Sequence, residues 1–189
     1  MTPIKLVILD RDGTINEDSD DFIKSADEWH PLPGALEAIA RLNHAGWHVV
    51  VVSNQSGLGR GLFEVSDLNA IHAKMHQMLA DVGGRIDAVF YCPHTPADAC
   101  RCRKPDTGLF QQIEDRYGLD LKNVPAVGDS ARDAVAAVAV GCEPHLVMTG
   151  KGAVYKGRDL PESFPSHTLV HDNLSAFVDF LLDREEARA

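Results

Sequence analysis

No stretch of this 189-residue chain approaches the ~18 consecutive apolar residues of a membrane-spanning helix. The apolar run in its opening, MTPIKLVILD, is short and flanked by charge. A secretory leader needs ~7–15 apolar residues behind a basic start, so this run is expected to be a strand. The protein is expected to be soluble and cytoplasmic, with no membrane partner. Positive charge is scarce: 18 Lys and Arg stand against 28 Asp and Glu, for a net charge of -10. That balance repels a phosphate backbone, so nucleic acid is not an expected partner, and any anionic ligand must be small and locally neutralised. Internal repeats, low-complexity tracts and interdomain linkers are also missing. With 44% hydrophobic residues at this length, the expectation is one domain over 1–189 with a full core, acting as a monomer.

The four cysteines are too unevenly spread for two disulfides, because Cys100 and Cys102 flank a single residue and Cys142 lies far off in an apolar segment. A thiol-reducing compartment fits that pattern. In CPHTPADACRC, the residues Cys92, His94, Cys100 and Cys102 make a C-x-H-x5-C-x-C set. Three thiolates and an imidazole are a full tetrahedral shell for zinc, with no open position left for catalysis. Cys142 reads as a small buried residue.

Short apolar runs alternate with helical patterns, the signature of β/α units around a parallel sheet. Strands are expected at 4–9, 48–52, 86–91, 124–128, 145–149 and 167–171. Pro33-Gly34 opens a helix that Gly46 stops, and Ser66 is placed to cap a second that runs to Gly83-Gly84. Further helices are expected over 107–117, from Ser130 through SARDAVAAVAV, and around Leu174–Leu182. The fold class is α/β, a doubly wound three-layer sandwich with a mostly parallel sheet.

Ligands of open α/β sheets bind beyond the carboxyl ends of the strands. The residues there are Asp10-Arg11-Asp12, Ser53-Asn54, Cys92-Pro93-His94 and Asp129-Ser130. In DRDGT (10–14), two carboxylates leave a buried strand with Gly13 permitting a sharp turn. Like charges so close call for a cation, and magnesium, which takes a few carboxylates plus waters and phosphate oxygens, suits them. Asp129 adds a third anionic group. Asp133, four residues on, either supports the metal or complements a helix N-terminus. Soft sulfur ligands disfavour magnesium, so zinc and magnesium occupy separate sites.

The combination DRDGT, VVSNQSG, CRKP and VGDSARD resembles the four motifs of the haloacid dehalogenase superfamily, in order and over nearly the whole chain. The resemblance implies a phosphatase in which Asp10 is the nucleophile and Asp12 the general acid and base. It implies that Ser53 and Lys104 hold the phosphoryl group, and that magnesium is bound by Asp10, the Asp12 backbone carbonyl and Asp129. The intervals between motifs leave no room for an inserted cap domain, so the site should be open and rimmed by loops 15–33, 54–64 and the zinc loop. A capless chain with this zinc spacing looks like the heptose bisphosphate phosphatases, which remove the C7 phosphate of a sugar bisphosphate; the histidinol-phosphate phosphatases share the spacing. SNQSGLGRG is more similar to the former. The likeness places Asp18, Ser19, Asp20 and Asp21 at the substrate, although DSDD (18–21) replaces a commoner Gly-Tyr pattern, and Asn54, Gln55 and Ser56 are expected there too. A guanidinium fork suits a second phosphate better than an ammonium does, so Arg103 is expected to hold it while Lys104 serves the reacting one.

Two remaining patterns are weaker. His72 and His76 are four apart on a helix, but the intervening AKM lacks a metalloprotease glutamate, and a surface position is expected for both. GLGRG (57–61) is not a dinucleotide fingerprint; its Arg60 either faces phosphate or is an ordinary loop residue.

Overall fold

The computed structural model describes residues 4–187, so the first three and last two residues of the expected domain lie outside the described residues. Six strands occur among them: β1 (Lys5–Leu9), β2 (Trp47–Asn54), β3 (Ala88–Cys92), β4 (Pro125–Gly128), β5 (Glu143–Val147) and β6 (Leu169–His171). They form one sheet in the order β3-β2-β1-β4-β5-β6, and every neighbouring pair is parallel. The sheet expected to be mostly parallel is thus wholly so.

Parallel strands require crossovers, and both faces must be covered. The chain supplies α1 (Ala35–His44), a single turn α2 (Ser56–Gly59), α3 (Val65–Asp81), α4 (Gly108–Tyr117), α5 (Ala131–Ala139) and α6 (Leu174–Glu186). Successive strand side chains alternate between faces. Val7, Leu9, Val49 and Val51 therefore join one core with Ile39 of α1, Ile71 of α3 and Phe177 of α6. Leu6, Ile8, Val50 and Val52 join the other, with Leu109 and Phe110 of α4 and Ala137 of α5. Helix, sheet and helix make the three layers.

Several boundaries differ from the sequence expectation, each for a local reason. Strand β2 continues through Ser53 and Asn54 because β3 lies alongside, pairing Asn54 with Cys92. Strand β5 starts two residues early, where Glu143 pairs with Pro125, and ends before Met148. The cap of α3 is Glu64 rather than Ser66: Glu64 and Asp67 exchange side-chain bonds with each other's backbone N–H in a capping box. The turn α2 was expected to be loop.

Strand β1 lies between β2 and β4, and chain order reverses there. The loops leaving β1 and β4 diverge at such a switch point, opening a crevice at the carboxyl end of the sheet. The stretch from Asp12 to β2 holds only loops, α1 and a short 3-10 turn, and that from Asn54 to Lys104 only loops, α2, α3, β3 and a 3-10 turn, so no cap covers the crevice among the described residues.

Candidate active site

The N–H of Asp10 extends the sheet one residue beyond β1, donating to the Val127 carbonyl at 2.8 Å. The chain then turns sharply, and the Arg11 carbonyl accepts from Ile15 N–H at 2.8 Å. Gly13 sits at φ 83°, and an added Cβ would collide with the Asp129 carboxylate, so the turn can lie against β4 only with glycine there.

Lys104 is 3% exposed and joins three elements. Its Nζ donates to Asp10 Oδ1 at 2.9 Å and to the Val52 carbonyl at 2.7 Å, and it pairs with Asp133 Oδ1 at 2.7 Å. Burial opposes its charge, but the Asp10 and Asp133 carboxylates outweigh burial and raise its pKa. Asp10, Asp129 and Asp133 can each present an oxygen within 4.8 Å of the others. Burial first, then carboxylate repulsion, pushes Asp129 up to about 8; burial, with repulsion from Asp133 and Asp12 opposed by Lys104, takes Asp10 up to about 7. One ammonium cannot balance three carboxylates, and a hard cation with oxygen ligands fits the cluster. Of the two expectations for Asp133, the helix N-terminus one is seen directly. Its Oδ1 faces Lys104, while Oδ2 accepts from Ser130 N–H at 3.1 Å and Ser130 Oγ at 2.6 Å to cap α5.

Asp12 is gripped differently. Arg11 Nε and Asn16 Nδ2 donate to its Oδ1, both at 2.9 Å. Arg11 Nη2 at 3.1 Å and Gln55 Nε2 at 2.9 Å donate to Oδ2. Burial works against ionisation of Asp12, yet Arg11, Asn16 and Gln55 overcome it and hold the carboxyl below its ordinary range.

A cavity of about 220 Å³ opens over these groups. Asp18, Ser19 and Asp20 line it from one side, and Gln55, Ser56, Arg60 and Arg103 from another. Ser53 and Asp21 do not line it: Ser53 is buried and accepts from Gln55 Nε2 at 2.7 Å, whereas Asp21 points out to solvent. Asn54 does line it, but both ends of its amide bond the Lys104 backbone. Arg132 and Lys151, which the sequence reading passed over, complete a basic rim; Arg132 lies inside the GDxxxD motif, the one signal that could have found it. Burial, with Arg132 and Arg60 nearby, lowers the pKa of Arg103. Gathered guanidinium groups in a chain of net charge -10 mark a place for an anion. Arg60 also stacks over the Phe22 ring, 5.7 Å from its centroid. A larger open hollow, about 1050 Å³, lies beside β6, but the paired carboxylates do not reach it. Chemistry rather than volume picks the site.

The three cysteines of the loop are free thiols and gather with His94. Cys92 Sγ lies 3.0 Å from Cys102 Sγ and 3.6 Å from both Cys100 Sγ and His94 Nδ1, with His94 Nδ1 3.2 Å from Cys102 Sγ. Ligands about a tetrahedral zinc stand roughly 3.8 Å apart for Zn–S bonds of ~2.3 Å, so a modest expansion of this cluster fits the ion. Two further bonds tie the loop to the cavity wall: Gln55 N–H to the Cys92 carbonyl at 2.8 Å and Gly59 N–H to the Pro93 carbonyl at 2.9 Å.

His76 is exposed as expected, whereas His72 is half-buried: its Nε2 lies 3.2 Å from Arg11 Nη1. Helix α3 must bury Ile71 and Met75, and that rotation carries His72 to the edge of the catalytic loop.

A family model described as polynucleotide kinase 3 phosphatase matches residues 5–150. A curated relative from Bordetella bronchiseptica, D-glycero-beta-D-manno-heptose-1,7-bisphosphate 7-phosphatase, is 54% identical over 179 residues, spanning 95% of this chain and 98% of the relative. The chain belongs to this heptose bisphosphate phosphatase family of the haloacid dehalogenase superfamily. A family member of the same name from Pseudomonas aeruginosa is 51% identical over 177 residues, 94% of this chain and 97% of its own. The crystal structure of D,D-heptose 1.7-bisphosphate phosphatase from B. bronchiseptica, complexed with magnesium and phosphate, superposes with a TM-score of 0.91 over 96% of this chain and 99% of that one.

Proposed function

We propose that this chain is a magnesium-dependent phosphatase that removes the C7 phosphate of D-glycero-D-manno-heptose 1,7-bisphosphate, in the supply of activated heptose for lipopolysaccharide. The observation that carries the reading is the Asp10 carboxylate, 2.9 Å from the buried Lys104 ammonium at the floor of a cavity with a basic rim. High identity over nearly the full length of relatives bearing that name supports the substrate.

In the first half-reaction an Asp10 oxygen attacks phosphorus, the bond from phosphorus to the C7 oxygen breaks, and the Asp12 proton passes to the departing alkoxide. In the second, water attacks the phosphorus of the aspartyl-phosphate, Asp12 takes its proton, and inorganic phosphate leaves as Asp10 regains its carboxylate. Four donors saturate Asp12 as an anion, so one of them must release it for the proton-donating step. Lys104 meets charge that spreads over the phosphoryl oxygens, and Ser53 stands behind it, bonded to Gln55. Asp10, Asp129 and the Asp12 backbone carbonyl would hold magnesium, which supplies the neutralisation that lets one anion approach another; Asp133 supports the set. Asp18, Ser19, Asp20, Ser56 and Arg103 face the sugar and its second phosphate, with Asp21 and Asn54 behind them. Zinc in the Cys92, His94, Cys100 and Cys102 cluster is structural. The protein works as a single cytoplasmic domain and a monomer, without nucleic-acid or membrane partners.

The test compares phosphate release from both anomers of the heptose bisphosphate, from histidinol phosphate and from a DNA 3′-phosphate, with and without EDTA. Magnesium-dependent preference for a heptose bisphosphate, abolished in Asp10→Asn, is expected. A preference for either of the other substrates overturns the substrate, and near wild-type turnover by the pure Asp10→Asn protein overturns the mechanism.

A further inference from the structure

Arg11 is 0% exposed, and a buried guanidinium is strongly destabilising unless each of its edges is paired. One edge, Nε and Nη2, grips both oxygens of Asp12 at 2.9 and 3.1 Å. The remaining terminus, Nη1, meets His72 Nε2 at 3.2 Å. Arginine has donors only, so Nε2 must be the acceptor, which makes the His72 ring neutral with its hydrogen on Nδ1. Burial first, then the Arg11 charge, keeps His72 in that form by lowering its pKa to about 4.

We propose that His72 is a positioning residue for phosphoryl transfer, acting through Arg11 to fix the orientation of the Asp12 carboxyl group. The inference rests on the reading of Asp12 as general acid and base. A guanidinium held only by Asp12 can pivot with it about the bond from Asp12 to its backbone. Anchored at Nη1 to α3, itself fixed in the core by Ile71 and Met75, the fork becomes a rigid bracket. Asn16 and Gln55 hold Asp12 from outside the long helices, so His72 is what ties the Arg11 fork to a packed helix, 61 residues from Arg11 in sequence. Losing it leaves the nucleophile, Lys104 and the metal carboxylates untouched, since His72 bonds none of them.

Proton delivery matters in proportion to the basicity of the leaving group. An alkoxide needs the Asp12 proton, whereas p-nitrophenolate departs without it. The experiment is single-turnover formation of the aspartyl-phosphate, on the full chain with magnesium and zinc, from a heptose bisphosphate and from p-nitrophenyl phosphate. In His72→Leu the sugar reaction is expected to slow about tenfold, a fraction of the ~10²–10⁴ that acid–base help supplies, while the aryl reaction stays within twofold of wild type. His72→Gln, whose amide oxygen can replace Nε2 as acceptor, should recover most of the loss. Should His72→Leu fail to fold, His72→Phe keeps a ring and removes the acceptor. Equal loss with both substrates, no loss with either, or a Gln variant as slow as Leu overturns the inference. An inactive wild type sinks the functional reading and this bracket with it; an active wild type with an unaltered His72→Leu sinks the bracket alone.

Discussion

Asn54 and Lys104 are bonded to each other twice: the Asn54 amide donates to the Lys104 carbonyl at 3.1 Å and accepts from the Lys104 N–H at 3.0 Å. The end of β2 thereby sets the height at which the Lys104 ammonium reaches Asp10. A side chain read from sequence as a substrate contact thus also has a structural task.

Asn54→Ala should accordingly behave as a milder form of a Lys104 variant. We expect kcat to fall between about tenfold and a hundredfold, the scale of a misplacement of ~1 Å, with zinc content unchanged. Steady-state kinetics alongside zinc analysis checks this, and a change confined to KM would show that Asn54 acts on substrate instead.

Zinc should matter only through the loop. Arg103 and Lys104 directly follow Cys102, and ordering that loop orders the basic pair. Cys102→Ser is expected to lower zinc content and turnover together while magnesium binding by the carboxylates persists. A Cys102→Ser protein with full zinc and full activity contradicts the idea.

The gathered arginines make a prediction about the second phosphate. Arg103→Ala and Arg132→Ala should each raise KM for a heptose bisphosphate about tenfold or more, at a cost of ~1.5–3 kcal/mol for a charged hydrogen bond. A monophosphate substrate should show little change. An equal effect on both substrates would place the two arginines on the reacting group.

Stability should depend on pH through a pair of histidines that do not line the site. His145 Nδ1 lies 2.9 Å from His171 Nε2, and His145 Nε2 lies 2.8 Å from Glu143 Oε1. Burial holds both histidines down at about 4, against an ordinary 6.5. Between those values the unfolded chain binds more protons than the folded one, so their stabilising contribution is full above about pH 6.5 and is lost as pH falls toward 4. Melting temperature should drop by about 5 °C or more across that window. His171→Gln, which can keep the bond to His145 Nδ1, should flatten the slope; identical pH profiles for the two proteins would exclude the pair as its source.

Much of this molecule was legible in one dimension. Alternating apolar runs such as KLVIL and HVVVV dictate strands buried on both faces, and glycine stops mark the helices between them. Once strand ends are known, the rule of the carboxyl edge brings Asp10, Asp12, Ser53 and Asp129 together without coordinates. The close spacing of Cys92, His94, Cys100 and Cys102 made their cluster readable too, because short loops allow few ways to arrange four ligands. What tertiary structure alone decided were contacts between distant elements: Arg11 with His72, Asn54 with Lys104, and Arg132 on the rim. Those pairings depend on the rotation of a helix about its axis and on where a strand stops against its neighbour. Both are set by packing of the whole core, which local patterns of residue type do not encode.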